Sequence, residues 1–140
     1  MPLTELGYQL IRNLSAGNSK TGVVPSNRFW VIQWGHIKMT TTPTPGNRLL
    51  VMQVKLPGDP DPLARTFAPS AQGPSTVQRY QLFPGILAPQ GLHTGEVMFM
   101  ALPNVPIMLE GWEFTLHDVN NVDPNDHLEL RALIVKIERD

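Results

Sequence analysis

Residues 29–56 read FWVIQWGHIKMTTTPTPGNRLLVMQVKL, and this stretch decides the fold class. Its first part, residues 29–40, is a run of aromatic and β-branched side chains, which favour a pleated, half-buried strand. After a break rich in Thr, Pro and Gly, residues 48–56 alternate between apolar and polar side chains, with Gln53 and Lys55 on the polar face. The stretch predicts a central strand followed by its hairpin partner.

The break ends in Gly46-Asn47-Arg48. Gly and Asn reach the positive φ that tight hairpins require, so this tripeptide is predicted to be the hairpin tip. It lacks the longer glycine pattern, the lysine and the following helix of a phosphate-binding loop. Arg48 is therefore a candidate contact residue only where a partner places a carboxylate beside it.

The rest of the chain continues as short segments, because 14 Pro and 11 Gly divide it. Flanking prolines are tolerated only at an edge or a strand end, so residues 63–68 are predicted to form an edge strand. The other predicted strands are 76–83, 96–102, 111–119 and 127–137. Together with the N-terminal region they make about eight strands, which predicts an all-β, antiparallel β-sandwich, jelly-roll-like, with long Pro/Gly-rich loops.

Two segments carry finer predictions. Residues 1–22 have leucines at helical spacing, yet a strand from about Gly7 is favoured, and the alternative is an N-terminal arm. In the last strand, one face is predicted to hold Leu128, Leu130, Ala132, Ile134 and Lys136. A second apolar face of Leu133, Val135 and Ile137 predicts that the strand is covered on both sides towards its end.

Composition limits the classes of function. At 140 residues and 15.6 kDa, with 41% hydrophobic residues, we expect a single domain, 1–140. No apolar run reaches the roughly 18 residues of a membrane helix, and the first residues do not resemble a signal peptide. The net charge of -1 provides no broad field for nucleic acid, and the absence of cysteine fits folding in a reducing cytoplasm.

No pattern in the sequence points to an enzyme. The four histidines lack the spacing of a zinc motif, no Gly-x-Ser-x-Gly elbow occurs, and no pair of carboxylates is selected by spacing. Residues 117–127 are rich in Asp and Asn, but they lack the glycine and closing glutamate of a calcium loop and are interpreted as turns. No catalytic residue, metal site or cofactor is predicted.

The tryptophans leave one alternative open. Trp30 and Trp34 are an even number of residues apart, which places them on one face of a strand. With Trp112 they could form a sugar-stacking platform, although core packing of a sandwich gives the same alternation and is favoured.

The long loops 56–75 and 84–95 are where contacts with other proteins are expected. Arginine and aromatic or aliphatic anchors dominate such contacts. The predicted interface residues are Arg48, Arg65, Phe67, Leu87 and Leu92.

The order of these strand and turn signatures resembles that of small β-sandwich virion proteins of tailed bacteriophages. It is carried by Trp30-Val31-Ile32, Gly46-Asn47-Arg48, Arg79-Tyr80 with Phe83-Pro84-Gly85, Leu102-Pro103 with Gly111, and Asp126 before the last strand, over the chain from about Val23 onward. The resemblance implies a non-enzymatic capsid decoration or cement protein that bridges subunits of the major capsid protein. A small homo-oligomer, a dimer or trimer on the capsid exterior, made in the host cytoplasm, is expected. The alternatives are a tail, neck or receptor-binding component of the virion, and a carbohydrate-binding module.

Overall fold

The computed structural model of the chain describes residues 7–84, 93–94, 97–103, 105 and 107–138. All the regular secondary structure among these residues is β-strand. None of these residues forms a helix that is long and apolar enough to cross a membrane. The strands are β1 (Gly7–Asn13), β2 (Ser19–Val23), β3 (Phe29–Thr40), β4 (Leu50–Lys55), β5 (Ala64–Phe67), β6 (Val77–Phe83), β7 (His93–Thr94), β8 (Val97–Ala101), β9 (Glu113–Asp118) and β10 (His127–Glu138).

The strands form two sheets. One has six strands in the order β1-β10-β3-β6-β8-β7, and the other has four in the order β2-β9-β4-β5. Every described pairing is antiparallel except that between β6 and β8, which is parallel. The sheets share one hydrophobic core, in which Trp30 of β3 lies 6.4 Å from Phe114 of β9 between ring centroids. The prediction of an all-β sandwich is confirmed, whereas the jelly-roll topology is not.

The predicted hairpin between β3 and β4 is wrong. β3 pairs with β10 on one side and β6 on the other, so neither of its edges is open to β4. β4 lies in the other sheet, between β9 and β5. The segment 41–49 therefore carries the chain from one sheet to the other at one end of the sandwich, which we call the crossing end.

Other local predictions are confirmed. β1 begins at Gly7 and pairs with β10, as the strand interpretation of the N-terminal region requires. β5 is the short edge strand predicted after the proline-rich turn, and it pairs only with β4 in the described residues. The strand β2, which overlaps the end of the segment 1–22, is not predicted separately from the sequence.

A β-bulge in each of the long strands β3 and β10 changes which side chains of the strand are buried. In β10 the register with β3 shifts between Leu130 and Ala132. In β3 the register with β10 shifts between Ile32, which pairs with Val135, and Trp34, which pairs with Ile134. A β-bulge inserts one residue, so the alternation of side chains reverses beyond it. The prediction that Leu128, Leu130, Ala132, Ile134 and Lys136 share one face is therefore wrong, whereas Leu133 and Val135 are apolar and buried on one face, as predicted. The buried residues of β10 are Leu128 and Leu130 before the bulge and Leu133 and Val135 after it.

Candidate functional site

The outer face of the six-stranded sheet is unusually apolar. Leu10 of β1, Ile134 of β10 and Trp34 of β3 lie side by side in register, on the side opposite the buried Leu133. Tyr8 lies on the same side of β1, two residues before Leu10. Tyr8 is 68% exposed and Leu10 is 53% exposed, so the core of this chain does not cover them.

The same surface continues across β6 and β8. Phe83 and Phe99 alternate with the buried residues Leu82, Met98 and Met100, so their rings point away from the core. Their ring centroids are 5.8 Å apart, with the planes tilted by 41°. We call the outward set of Tyr8, Leu10, Trp34, Phe83, Phe99 and Ile134 the apolar face.

The outer face of the four-stranded sheet has a different chemistry. Lys55 of β4 and Glu113 of β9 lie opposite each other there, with 3.9 Å between charged atoms. The other polar outward residues of this sheet are Ser19, Thr21, Gln53, Arg65, Thr115 and His117. An antiparallel sheet with one face in water alternates polar and apolar side chains, and this sheet mostly does so. The apolar face of the six-stranded sheet departs from that rule.

Basic residues lie beside the apolar face. Lys38 of β3 has Arg79 of β6 as its partner on one side and Glu129 of β10 on the other, and we call Lys38, Arg79 and Arg131 the cationic end. Glu129 pairs with Arg131 at 3.3 Å. No carboxylate in the described part of the chain forms an ion pair with Lys38 or Arg79.

His36 joins the cationic end to the apolar face. Its ring lies 6.1 Å from that of Trp34, edge to face, and its Nε2 atom is buried without a hydrogen-bond partner among the described residues. Burial lowers the pKa of His36, and the nearby charges of Arg79 and Arg131 lower it further. The imidazole is therefore neutral at pH 7.

Arg48, predicted as an interface residue, is instead fully buried at the crossing end. Its Nε donates to Asp126 at 2.8 Å and its Nη2 donates to the other carboxylate oxygen at 3.1 Å. Its Nη1 donates to the carbonyl oxygens of Thr44 and Gly46. The carboxylate that Arg48 requires is supplied by its own chain, so the prediction that Arg48 contacts a neighbour is wrong.

The other carboxylates of residues 117–127 also bind their own chain. Asp118 accepts backbone N–H groups from Leu49, Asn120 and Val122. Asp123 accepts the hydroxyls of Thr42 and Thr44 and the N–H of Asn125, and these bonds lower the pKa of Asp123 to about 2. These side chains act as turn formers, as interpreted from the sequence. No cluster suited to a metal ion is found among the described residues.

A second polar group supports the crossing end from inside. Gln72 exchanges backbone hydrogen bonds with Arg48, and its side chain accepts from the Tyr80 hydroxyl at 2.9 Å and donates to the Met39 carbonyl. Burial raises the pKa of Tyr80 above its usual value, so the phenol stays a hydrogen-bond donor at all ordinary pH values. The polar groups of Gln72 and Tyr80 at this end are therefore satisfied by hydrogen bonds within the chain.

Arg65 and Phe67 lie on the edge strand β5. Both are exposed, Phe67 by 43%, and the guanidinium carbon of Arg65 lies 5.6 Å from the centroid of the Phe67 ring. Their role as interface residues stays a prediction. Leu87 and Leu92 lie outside the described residues.

The sugar platform of Trp30 and Trp34 is wrong, because the bulge in β3 separates them. Trp30 is 4% exposed and belongs to the core, whereas Trp34 belongs to the apolar face. Trp112 is half-buried against the core. No face among the described strands presents Trp30 and Trp34 together.

Sequence reasoning missed the apolar face. The sequence predicts strands at Tyr8 and Leu10 but not which side of the sheet they occupy, and it predicts Ile134 on the face of Leu128, from which the bulge in β10 separates it. The signal was present in the alternation of β1, in which Tyr8 and Leu10 share a side with Arg12. It becomes informative only when the register with β10 is known.

Compared with known proteins, the chain matches no family model, no curated protein and no solved structure.

Proposed function

We propose that this chain is a structural protein of a tailed-bacteriophage virion, a capsid decoration or cement protein that binds subunits of the major capsid protein on the outside of the shell. The observation that carries the proposal is the apolar face of the six-stranded sheet. A monomer in water rarely keeps a contiguous apolar surface of this kind unless it binds another molecule. The class of partner comes from the resemblance of the strand and turn signatures, in their order along the sequence, to those of small virion proteins.

The crossing end supports a binding role over a catalytic one. The charged side chains of this end form hydrogen bonds within the chain. Arg48 donates to Asp126, Asp118 accepts from the Leu49 N–H, and Asp123 accepts from the Thr42 hydroxyl. Groups that are satisfied internally hold loops in place and are not poised to receive a substrate. A sandwich end held by internal hydrogen bonds suits a protein that binds neighbouring capsid subunits.

A small homo-oligomer would use a different surface. The edge strand β5 leaves one side of its backbone unpaired among the described strands, and Phe67 and Arg65 stand beside that edge. Exposed edges are the usual place for strand addition between copies. We therefore assign contacts between copies to β5 and contacts with the shell to the apolar face.

The proposal is tested by adding the purified chain to capsid shells assembled without it. We expect the chain to co-sediment with the shells to saturation and to raise the temperature at which they rupture. Failure to bind the shells would overturn the proposed function. Binding without a change in rupture temperature would identify passive decoration rather than cementing.

A further inference from the structure

The charged residues of the six-stranded sheet are strongly biased in sign. Among described side chains, alternation and register place six charged residues on its outer face: Arg12, Lys38, Arg79, Glu129, Arg131 and Lys136. Five of the chain's 11 Lys and Arg residues are therefore on this face, against one described carboxylate. The bias stands out because the whole chain has a net charge of -1.

We propose that this face binds a protein surface that is apolar at its centre and carries Asp or Glu side chains where it meets the cationic end. The inference rests on the proposed function, since it names the chemistry of the capsid surface that the chain recognises. Tyr8, Leu10 and Trp34 supply the apolar contact. Lys38 and Arg79 receive the carboxylates.

The cationic end is suited to carboxylates because its charges are incompletely neutralised. Glu129 is shared between Arg131 at 3.3 Å and His127 at 4.0 Å, and Lys38 and Arg79 form no ion pair in the described part of the chain. The Nε2 atom of His36, beside this group, is buried and has no hydrogen-bond partner among the described residues. An incoming carboxylate would be attracted by Lys38 and Arg79 and would reduce the repulsion between these cations and Arg131.

A second copy of this chain is a poor occupant of the same face. In a two-fold contact the same patch meets itself, so the cations of one copy would face either the cations or the apolar side chains of the other. Burying unpaired charges against apolar groups is unfavourable, because the charges lose their hydration without gaining a partner. Glu129 is the one described carboxylate of the face, and it is already engaged by Arg131.

A nucleic acid is also disfavoured as the occupant. Single strands bind to open aromatic rings on which bases stack, with cations along the backbone. Here Phe83 and Phe99 pack against each other, Trp34 packs against His36, and Leu10 and Ile134 are aliphatic. This surface has the mixture of aliphatic and aromatic groups with a charged rim that protein interfaces show.

The first test is a footprint of the unmodified chain. Lysine acylation is measured on the free chain and on the chain bound to capsid shells. We expect Lys38 to become protected by at least about fivefold on binding, while Lys55 on the opposite sheet keeps its reactivity. Protection of Lys55 without Lys38 would overturn the assignment of the face.

The second test uses charge reversal. We expect Lys38→Glu and Arg79→Glu each to weaken shell binding by about tenfold at low salt, with a smaller effect as salt rises. Lys55→Glu is the matched control and is expected to bind as the wild type does. If a reversal variant fails to fold, the footprint on the wild-type chain decides.

The outcomes separate the inference from the proposed function. Wild-type binding that neither reversal changes would overturn the inference and leave the proposed function standing. Absence of wild-type binding would overturn both. Two other results would overturn the inference in favour of the other occupants. One is a single-stranded oligonucleotide that displaces the shell and protects Lys38. The other is a dimer of the free chain that Arg79→Glu dissociates.

Discussion

Arg48 and Asp126, which are 78 residues apart in sequence, form a buried ion pair in which two nitrogens of the guanidinium donate to the two oxygens of the carboxylate. The pair joins the crossing segment 41–49 to the start of β10. The Arg48 side chain also donates to the Thr44 and Gly46 carbonyls, so it fixes the path of the loop that leads to it. This end of the sandwich is held by charge-assisted hydrogen bonds.

Removing one partner of the pair is expected to lower the stability of the protein strongly. Arg48→Ala leaves Asp126 charged and buried, which costs about 3–5 kcal/mol in the free energy of unfolding. Urea unfolding at pH 7 measures it, with Arg65→Ala on the edge strand as the control, expected within about 0.5 kcal/mol of the wild type. A loss below about 1 kcal/mol for Arg48→Ala would contradict the role given to the pair.

Gly46 is expected to be required for the crossing. Its φ is +130°, and a Cβ placed there would lie 3.1 Å from a methyl group of Val122. Gly46→Ala should lower the free energy of unfolding by about 1–3 kcal/mol. Gly73→Ala is the control, because its Cβ would meet nothing within 4 Å and its φ is not positive. Equal stability of both variants would show that the loop relaxes without strain.

Acid should weaken the crossing end through Asp123. Its folded pKa of about 2 lies below the ordinary aspartate value of 3.8, so the unfolded chain binds more protons in this range. The contribution of Asp123 is therefore complete above pH 3.8 and is lost as the pH falls towards about 2. Melting temperatures between pH 2 and 5 should fall less steeply for Asp123→Asn than for the wild type. Asp61→Asn, in an exposed turn, should keep the wild-type slope.

Tryptophan fluorescence should distinguish the two faces of β3. Trp30 is buried between the sheets and Trp34 lies on the apolar face, so acrylamide should quench Trp34 more strongly. Trp34→Phe should reduce the quenchable fraction, and Trp30→Phe should leave it nearly unchanged. If Trp30→Phe removes most of the quenching, the bulge between Ile32 and Trp34 does not exist in solution.

The strands could be predicted from the sequence more readily than their partners. Alternation marks β4 and β6, because the face of each side chain in these strands follows from its position along the strand. Pairing depends on contacts between distant segments, and the turn signal at Gly46-Asn47 was interpreted as a hairpin although β3 has partners on both sides. The positive φ at Gly46 was anticipated, but its use in a crossing between sheets was not.

The candidate site was harder to predict for the same reason. The sequence predicts Arg48 as a contact residue because nothing near it in sequence shows that Asp126 neutralises it. The bulges in β3 and β10 reverse the alternation partway along each strand, so Trp34 could not be separated from Trp30 by counting residues. The apolar face joins residues of five strands, and only the register brings them together.

The most direct measurement is an electron cryo-microscopy reconstruction of the particle that contains this chain. We expect the chain on the outer capsid, with Leu10, Trp34 and Phe99 against the major capsid protein and carboxylates of that protein beside Lys38 and Arg79. A reconstruction in which the chain is absent from the shell, or in which this face points to solvent, would contradict the account.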